Sequence, residues 1–337
     1  MFPMDASVIV PACNEEKRIA ECLQSLLCQE TGKSFEVILA DDGSADSTIE
    51  IAKSLGKNVR ILKQRHRGPA AARNLGARNA KGDVLVFVDA DCVAEKNWLD
   101  EMLKPFADPN VSGVQGRYRT RQKSLMARFT QLEIEDRYDL MAKKESIDFI
   151  GSYSAAYRKK IFLEFGGFNE EFRTSSGEDT DLSYGLSSFG KRLVFAPRAI
   201  VFHSHPETLA AYLKTKFFRA YWRILLYKKH RIKMVKDSYT RQSLKAQIII
   251  AYAAFPALAL LFLAMAFGFH AEAKLLVQFS IVLVLAFLLA CVKLTGKVMA
   301  KDPLLGVLTP FLLALRSIVF SLGLLYGFYG LVLKRPT

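Results

Sequence analysis

Cysteine is scarce in this chain. Its five thiols, Cys13, Cys22, Cys28, Cys92 and Cys291 among 337 residues, show neither metal spacing nor a disulfide framework, which excludes a disulfide-stapled fold and fits a reducing compartment. No internal repeat and no low-complexity tract is present. Asp5 and an apolar run starting at Ser7 leave no room for a leader with an apolar core, so no signal peptide is expected. Glycine is missing from Pro11 to Glu16, which argues against the Gly-rich, Arg-containing loop of a nucleotidyltransferase. Acid is also in deficit, with 33 Asp and Glu against 47 Lys and Arg for a net charge of +14. A chain of this length with 51% hydrophobic residues exceeds one ordinary domain.

The most informative feature present is a pair of carboxylates in Val86-Phe87-Val88-Asp89-Ala90-Asp91. The run Val84 to Val88 reads as a buried strand that delivers Asp89 and Asp91 where it ends. Hard oxygen ligands in that place suit Mg²⁺ or Mn²⁺, which keep waters and take one or two protein carboxylates. The flanking segments repeat one theme. Ser7 to Val10 runs into Pro11-Ala12-Cys13-Asn14-Glu15-Glu16, and a helix follows with Ile19, Leu23, Leu26 and Leu27 on one face. Val37 to Ala40 runs into Asp41-Asp42-Gly43-Ser44, and Asp46-Ser47-Thr48 opens a helix. Val59 to Leu62 leads through a basic loop, Lys63 to Gly68, to a helix starting near Pro69. Alternating strands and helices predict an α/β domain with a mostly parallel sheet covered on both faces. Ligands in such sheets sit beyond the carboxyl ends of the strands, where Glu15, Asp42 and Asp91 all fall.

These segments, with Gly68-Pro69-Ala70-Ala71-Ala72-Arg73-Asn74, Gly166-Gly167-Phe168-Asn169-Glu170 and Gly177-Glu178-Asp179-Thr180-Asp181-Leu182, resemble the ordered motifs of family 2 glycosyltransferases over about the first 205 residues. The resemblance implies a GT-A (Rossmann-like) fold, a nucleotide-sugar donor, a divalent metal and inversion at the anomeric carbon. Under it, Asp42 selects the base by accepting a hydrogen bond from uracil or guanine N–H groups. Glu15, Cys13 and the backbone after Pro11 line the base and ribose pocket. Arg73 holds diphosphate oxygens in its fork. Asp89 faces the ribose or a metal-bound water, and Asp91 the metal itself. Asp179 matches the position of the general base, with Glu178 as its neighbour and Asp181 assigned to capping the adjoining helix. Related enzymes often take a third metal ligand from a histidine near His203, and His205 falls on the same face of an extended segment.

Two departures bear on the substrates. Many family members carry an aromatic where this chain has Cys13, a side chain that packs but does not stack on a base. The Gln-x-x-Arg-Trp motif of processive synthases is only echoed by Lys216-Phe217-Phe218-Arg219-Ala220-Tyr221-Trp222, which points to single additions. Arg219 and Trp222 are candidates for acceptor contact.

The rest of the chain has a different composition. Between Glu207 and Lys245, eleven Lys and Arg face two acids. Lys216, Arg219 and Arg223 form a stripe beside Leu213, Phe217, Tyr221 and Leu225, a pattern suited to a helix on an anionic membrane surface rather than to nucleic acid. Beyond it, 246–269 and 275–292 are uncharged and 304–333 carries only Arg316, each long enough to span a membrane. The expected organisation is a GT-A domain over 1–206, interfacial helices over 207–245, and a C-terminal transmembrane region over 246–337. Charge places the catalytic domain on the cytosolic face of the cell inner membrane, with Lys293, Lys297 and Lys301 marking a second cytosolic loop. Three crossings would leave Lys334 and Arg335 outside, and a hairpin bent near Arg316 would return them. Arg316 is assigned to a lipid phosphate or to an acid on a neighbouring segment. A helix over 124–144 is predicted between the two halves of the motif set.

The combined expectation is an inverting enzyme moving one sugar from a UDP-sugar, ahead of GDP-mannose, to a hydroxyl of a lipid-linked saccharide or glycolipid in cell-envelope glycan synthesis. A polyprenyl phosphate acceptor is the alternative and would leave Asp179 idle. A non-catalytic membrane scaffold that kept only the nucleotide pocket would not need both Asp91 and Asp179.

Overall fold

The computed structural model describes residues 4–330 apart from 57, 173–176 and 236. The chain divides into two compact units. One comprises Met1–Lys123, Tyr138–His205 and His230–Tyr239, and the other Ser124–Arg137, Pro206–Lys229 and Thr240–Thr337. Residues 124–137 therefore group with the helical unit, and 230–239 with the sheet unit.

The sheet unit is built from β1 (Met4–Ala12), α1 (Ile19–Leu27), β2 (Phe35–Asp41), α2 (Thr48–Ser54), β3 (Val59–Lys63), α3 (Pro69–Asn79), β4 (Gly82–Val88), β5 (Val93–Ala94), α4 (Trp98–Leu103) and β6 (Val111–Arg119). After α5 (Leu125–Met141), whose last turn belongs here, come β7 (Ser154–Arg158), α6 (Lys159–Glu164), α7 (Glu178–Ser188) and β8 (Arg192–Phe202). Eight strands form one sheet in the order β3-β2-β1-β4-β7-β6-β8-β5. The first four pair in parallel; the apolar runs of β1, β2 and β4 are buried on both faces, as strands under helices on each side must be, while β3 at the edge is only partly covered. β7 is antiparallel to both β4 and β6, while β6 and β8 are parallel. The sheet is thus mixed rather than parallel throughout. The extended segment leading to His203 is one long strand, β8, with a register shift against β6.

This topology collects functional groups at one edge. Ala12 and Asp41 are level across β1 and β2, and Val88 lies opposite Ser154. The carboxyl end of β4 therefore meets the amino end of β7, and the carboxyl end of β8 emerges on the same edge. Phe87, Phe162 and Phe168 pack ring to ring at 5.1 to 5.3 Å, holding the loop at Gly166–Glu170 against β4.

The helical unit contains most of α5 with α8 (Leu209–Lys229), α10 (Gln242–Ala266), α11 (His270–Lys301) and α12 (Pro303–Phe328); α9 (Arg231–Val235) falls in the sheet unit. Three of these helices, α10, α11 and α12, are long and apolar enough to cross a membrane. α12 runs unbroken through Arg316, so the hairpin bent at that residue does not form; Lys334 and Arg335 lie outside the described residues. Arg316 is 5% exposed and donates to Glu133 and to Gln247, the latter at 2.5 Å. Of its two assigned partners, the neighbouring acid is the one present. Glu133 also accepts from Lys216 Nζ at 2.8 Å and Tyr212 OH at 2.9 Å. Lys216 is consequently turned inward instead of joining Arg219 on an exposed stripe, since a buried charge needs a paired and hydrogen-bonded partner.

Candidate active site

At the end of β4, Asp91 Oδ2 stands 3.2 Å from His203 Nδ1 and 3.3 Å from Arg18 Nη1. Burial pushes the Asp91 carboxyl up, but the His203 imidazole and the Arg18 guanidinium more than offset this, leaving it below the ordinary carboxylate range. His203 Nδ1 is buried and makes no hydrogen bond, despite its approach to the carboxylate. A buried imidazole nitrogen and a carboxylate oxygen converging at 3.2 Å, with no well-aligned hydrogen bond between them, suit a shared divalent cation. Cys92 completes a trio within 4.8 Å, but burial raises its thiol well above the ordinary range, so it offers no thiolate. Asp89 and His205, both candidate ligands, stand outside this trio. Asp89 Oδ1 accepts from Arg73 at 2.7 Å, and the His205 ring packs on Tyr118 at 5.3 Å.

Arg73 is the centre of the arrangement. It is 1% exposed on α3, and its two terminal nitrogens reach Asp89 at 2.7 Å and Glu178 Oε1 at 2.8 Å. The fork expected to hold a diphosphate is occupied by two protein carboxylates, which joins the end of β4 to the start of α7. The next residue, Asn74, clamps Phe168 through both its backbone groups at 2.8 and 2.9 Å and reaches Glu170 at 3.0 Å. Gly167 adopts φ +72°, and a Cβ there would lie 2.6 Å from Asn74 Oδ1, so this turn requires glycine.

Glu178 and Asp179 differ in access. Glu178 is closed off, and burial together with the charge on Asp179 pushes its carboxyl up to about 8, against the pull of Arg73. Asp179 is part-exposed, accepts from Thr180 N at 2.6 Å and Ser152 N at 3.3 Å, and is also raised by burial. Asp181 lies in the first turn of α7, where an acid suits the helix start, and accepts from His230 Nε2 at 2.7 Å and Asn169 at 3.4 Å. Because native Glu178 binds its proton more tightly than the unfolded chain, its contribution to stability declines as pH rises from about 4.5 through about 8. Glu178→Gln is therefore expected to match the parent near pH 5 and to melt at higher temperature than the parent near pH 9. Thermal denaturation across that range is the check, and parallel curves would mean that native Glu178 is charged.

On the other side, Asp42 is 2% exposed and accepts from Gln64 Nε2 at 2.7 Å, from Arg67 N and Gly68 N at 2.8 Å each, and lies 2.9 Å from His66 Nδ1. Cys13 Sγ lies 3.7 Å from the same imidazole nitrogen, and burial with the nearby Asp42 charge raises this thiol too. Pro11 is the buried penultimate residue of β1. Glu15 is half-buried, its N–H donates to Thr48 Oγ1 at 2.7 Å, and burial with the charge on Asp91 raises its carboxyl. In the helical unit Arg219 is exposed, and Trp222 is half-buried with its ring 5.2 Å from Tyr221. Sequence reasoning missed Arg18, Gln64, His66 and Cys92. Only His66 had a usable signal, as an aromatic ring in the basic loop facing the position where Cys13 replaces one.

Comparison with known proteins agrees with this arrangement. Residues 7–166 match Glycosyl transferase family 2. The chain is 30% identical over 223 residues to a pre-mycofactocin glycosyltransferase of Mycobacterium tuberculosis, covering 64% of this chain and 46% of that one. It therefore spans about half the length of that relative. It is also 30% identical over 221 residues to the glycosyltransferase AglE of Haloferax volcanii, covering 63% of this chain and 70% of the relative. The mannosyltransferase PcManGT of Pyrobaculum calidifontis, solved with GDP-Man and Mn²⁺, shares the fold at a TM-score of 0.62 and 20% identity, over 97% of this chain and 88% of that one. The sheet, with its acidic loops at one edge, is a GT-A arrangement. With such identity over seven-tenths of a relative and the family pattern running through the strand-end loops, the chain belongs to glycosyl transferase family 2.

Proposed function

We propose that the chain is a membrane-anchored, inverting glycosyltransferase that moves one sugar from a nucleotide-sugar, UDP-linked in preference to GDP-linked, to a hydroxyl of a lipid-linked saccharide or glycolipid. One observation carries the reading: Arg73 binds Asp89 and Glu178 at once, so the strand-end carboxylates and the carboxylates of α7 belong to one site. Asp91 and His203 would hold the metal, and the imidazole nitrogen, a softer donor than oxygen, favours Mn²⁺ over Mg²⁺. When bound, such an ion offsets the negative charge of the departing nucleoside diphosphate.

The protein's own groups account for the remaining chemistry. Asp42, with Gln64 and His66, forms a base pocket in which a base N–H would take the place of one of the donors now on the carboxylate. The His66 ring supplies a planar face beside Cys13, where the family more often has an aromatic. Arg73 keeps Asp89 in place and ties it to Glu178 at the start of α7. Asp179, accessible and held by two backbone N–H groups, takes the proton of the acceptor hydroxyl as its oxygen attacks the anomeric carbon from the face opposite the leaving group. Glu178, protonated at neutral pH, adds no second negative charge next to that base. The basic segment 207–245 and the lysines at the end of α11 support a catalytic domain on the cytosolic face of the inner membrane.

The test uses full-length protein in lipid with Mn²⁺, a panel of labelled nucleotide sugars and a lipid extract of the source cells. Label in the organic phase with one donor is the expected result. Nucleoside diphosphate release without lipid label would move the acceptor off the membrane, and no release with any donor would overturn enzymatic transfer.

A further inference from the structure

Length and composition alone make α12 a third membrane span, yet its partner argues otherwise. α8 carries Lys214, Lys216, Arg219, Arg223, Lys228 and Lys229 and no acid. These charges are spread from its second turn to its last residue, and a helix so charged throughout cannot lie at hydrocarbon depth; it belongs in the headgroup layer, where cations meet anionic lipid.

α12 runs beside α8 along much of its length. Leu312 and Leu313 share a buried cluster with Tyr212. One turn further, Arg316 and Lys216 bind the same carboxylate, Glu133. A Cβ at Gly323 would lie 2.4 Å from the carbonyl oxygen of Phe217, and one at Gly327 would lie 2.6 Å from that of Tyr221. The Tyr326 ring stands 5.9 Å from Phe217 and 5.7 Å from Tyr221. Residues 312–327 thus advance in step with 212–224, backbone against backbone, over roughly 20 Å. Two helices in such register share their depth, so α12 could cross the bilayer only by drawing the cations of α8 through it.

The other helices behave differently. In their most apolar stretches α10 and α11 are 17% and 6% buried, against 50% for α12. Val307, Phe311, Ile318, Leu322 and Leu325 form one exposed apolar stripe along α12, in which Phe311 and Ile318 border a cavity against α10 and α11, while α8, α5, the amino end of α10 and the carboxyl end of α11 pack on its other faces.

We propose that α12 does not span the membrane: it lies in the membrane plane beneath α8, its apolar stripe against the acyl chains and the α8 cations among anionic headgroups. The chain then crosses the bilayer twice, as the hairpin of α10 and α11, and returns to the side from which it entered. Arg316 stays near phosphate depth, and the described end of α12 remains on the cationic side of the membrane. This inference is independent of the reaction assigned to the sheet unit.

Reporter fusions to the full chain test it. Green fluorescent protein after Thr337 is expected to fluoresce, and alkaline phosphatase there to be inactive, while phosphatase inserted at Gly268 is active. Active phosphatase after Thr337 with a dark fluorescent fusion would overturn the proposal. A second measurement does not depend on the fusions. Spin labels at Val307 and Leu325, in protein reconstituted into phosphatidylethanolamine and phosphatidylglycerol vesicles, are expected to report the same immersion depth. Labels differing by most of the hydrocarbon thickness would restore the third span.

Discussion

Asp179→Asn is expected to lower kcat by ~10²–10⁴-fold, the usual contribution of a positioned general base, and to leave donor binding unchanged. Asparagine keeps the size and an oxygen for the N–H groups of Thr180 and Ser152, which hold the carboxylate at 2.6 and 3.3 Å, so the loss falls on proton abstraction rather than on folding. The pH profile gives a second reading of the same group. Burial raises the Asp179 carboxyl above its ordinary value, and a base acts only when deprotonated. The parent's rate should therefore fall as pH drops through that raised pKa, and the variant should lack this acid limb. Steady-state kinetics from pH 5 to 9 with a donor and a lipid acceptor settle it. A near-silent substitution would indicate an acceptor that arrives already ionised, such as a lipid phosphate.

The largest effect on stability is expected at Arg73. Arg73→Met fills similar volume but removes the cation between Asp89 and Glu178, and breaking a buried ion pair by deleting one partner costs about 3–5 kcal/mol. Two features place this site toward the lower end. Asp89 keeps 29% side-chain exposure and can be rehydrated, and Glu178 is already disposed to hold a proton. A fall in melting temperature of about 10 °C is expected for a unit of this size. Glu178→Gln in the same background should recover part of it, since it removes one carboxylate from the unpaired cluster. A change of under about 1 kcal/mol in the single variant would show that the three carboxylates do not depend on this guanidinium.

The α/β architecture and the strand-end carboxylates were legible because both come from local pattern. Apolar runs such as Val84–Val88 read as strands, and parallel strands deliver their loops to one edge whatever lies between. Reversal of β7 was not legible, because direction depends on which strands pair across long separations, and the run Ser154–Arg158 carries no mark of it. At the site, Asp91 and His203 were readable as ligand types at motif positions. The engagement of Arg73 was not: an arginine on a helix suits a phosphate and a carboxylate equally well, and which one it meets is set by how α3 approaches α7. The same holds for Arg316, whose apolar neighbours concealed Glu133 almost two hundred positions away. His66 was overlooked because Lys63, Arg65 and Arg67 around it read as a solvated basic loop.

β4 is the seam of the sheet, running with β1 on one side and against β7 on the other. The register among β1 to β4 is set within that segment, but Arg73, Asn74 and Asp91 each reach across the seam, to Glu178, Phe168 and His203, so a segment joined on at β4 has to supply those three partners. Exchange of the segment past the seam between relatives should then change the acceptor while keeping the donor, which makes this strand the natural crossover point for building chimeric enzymes.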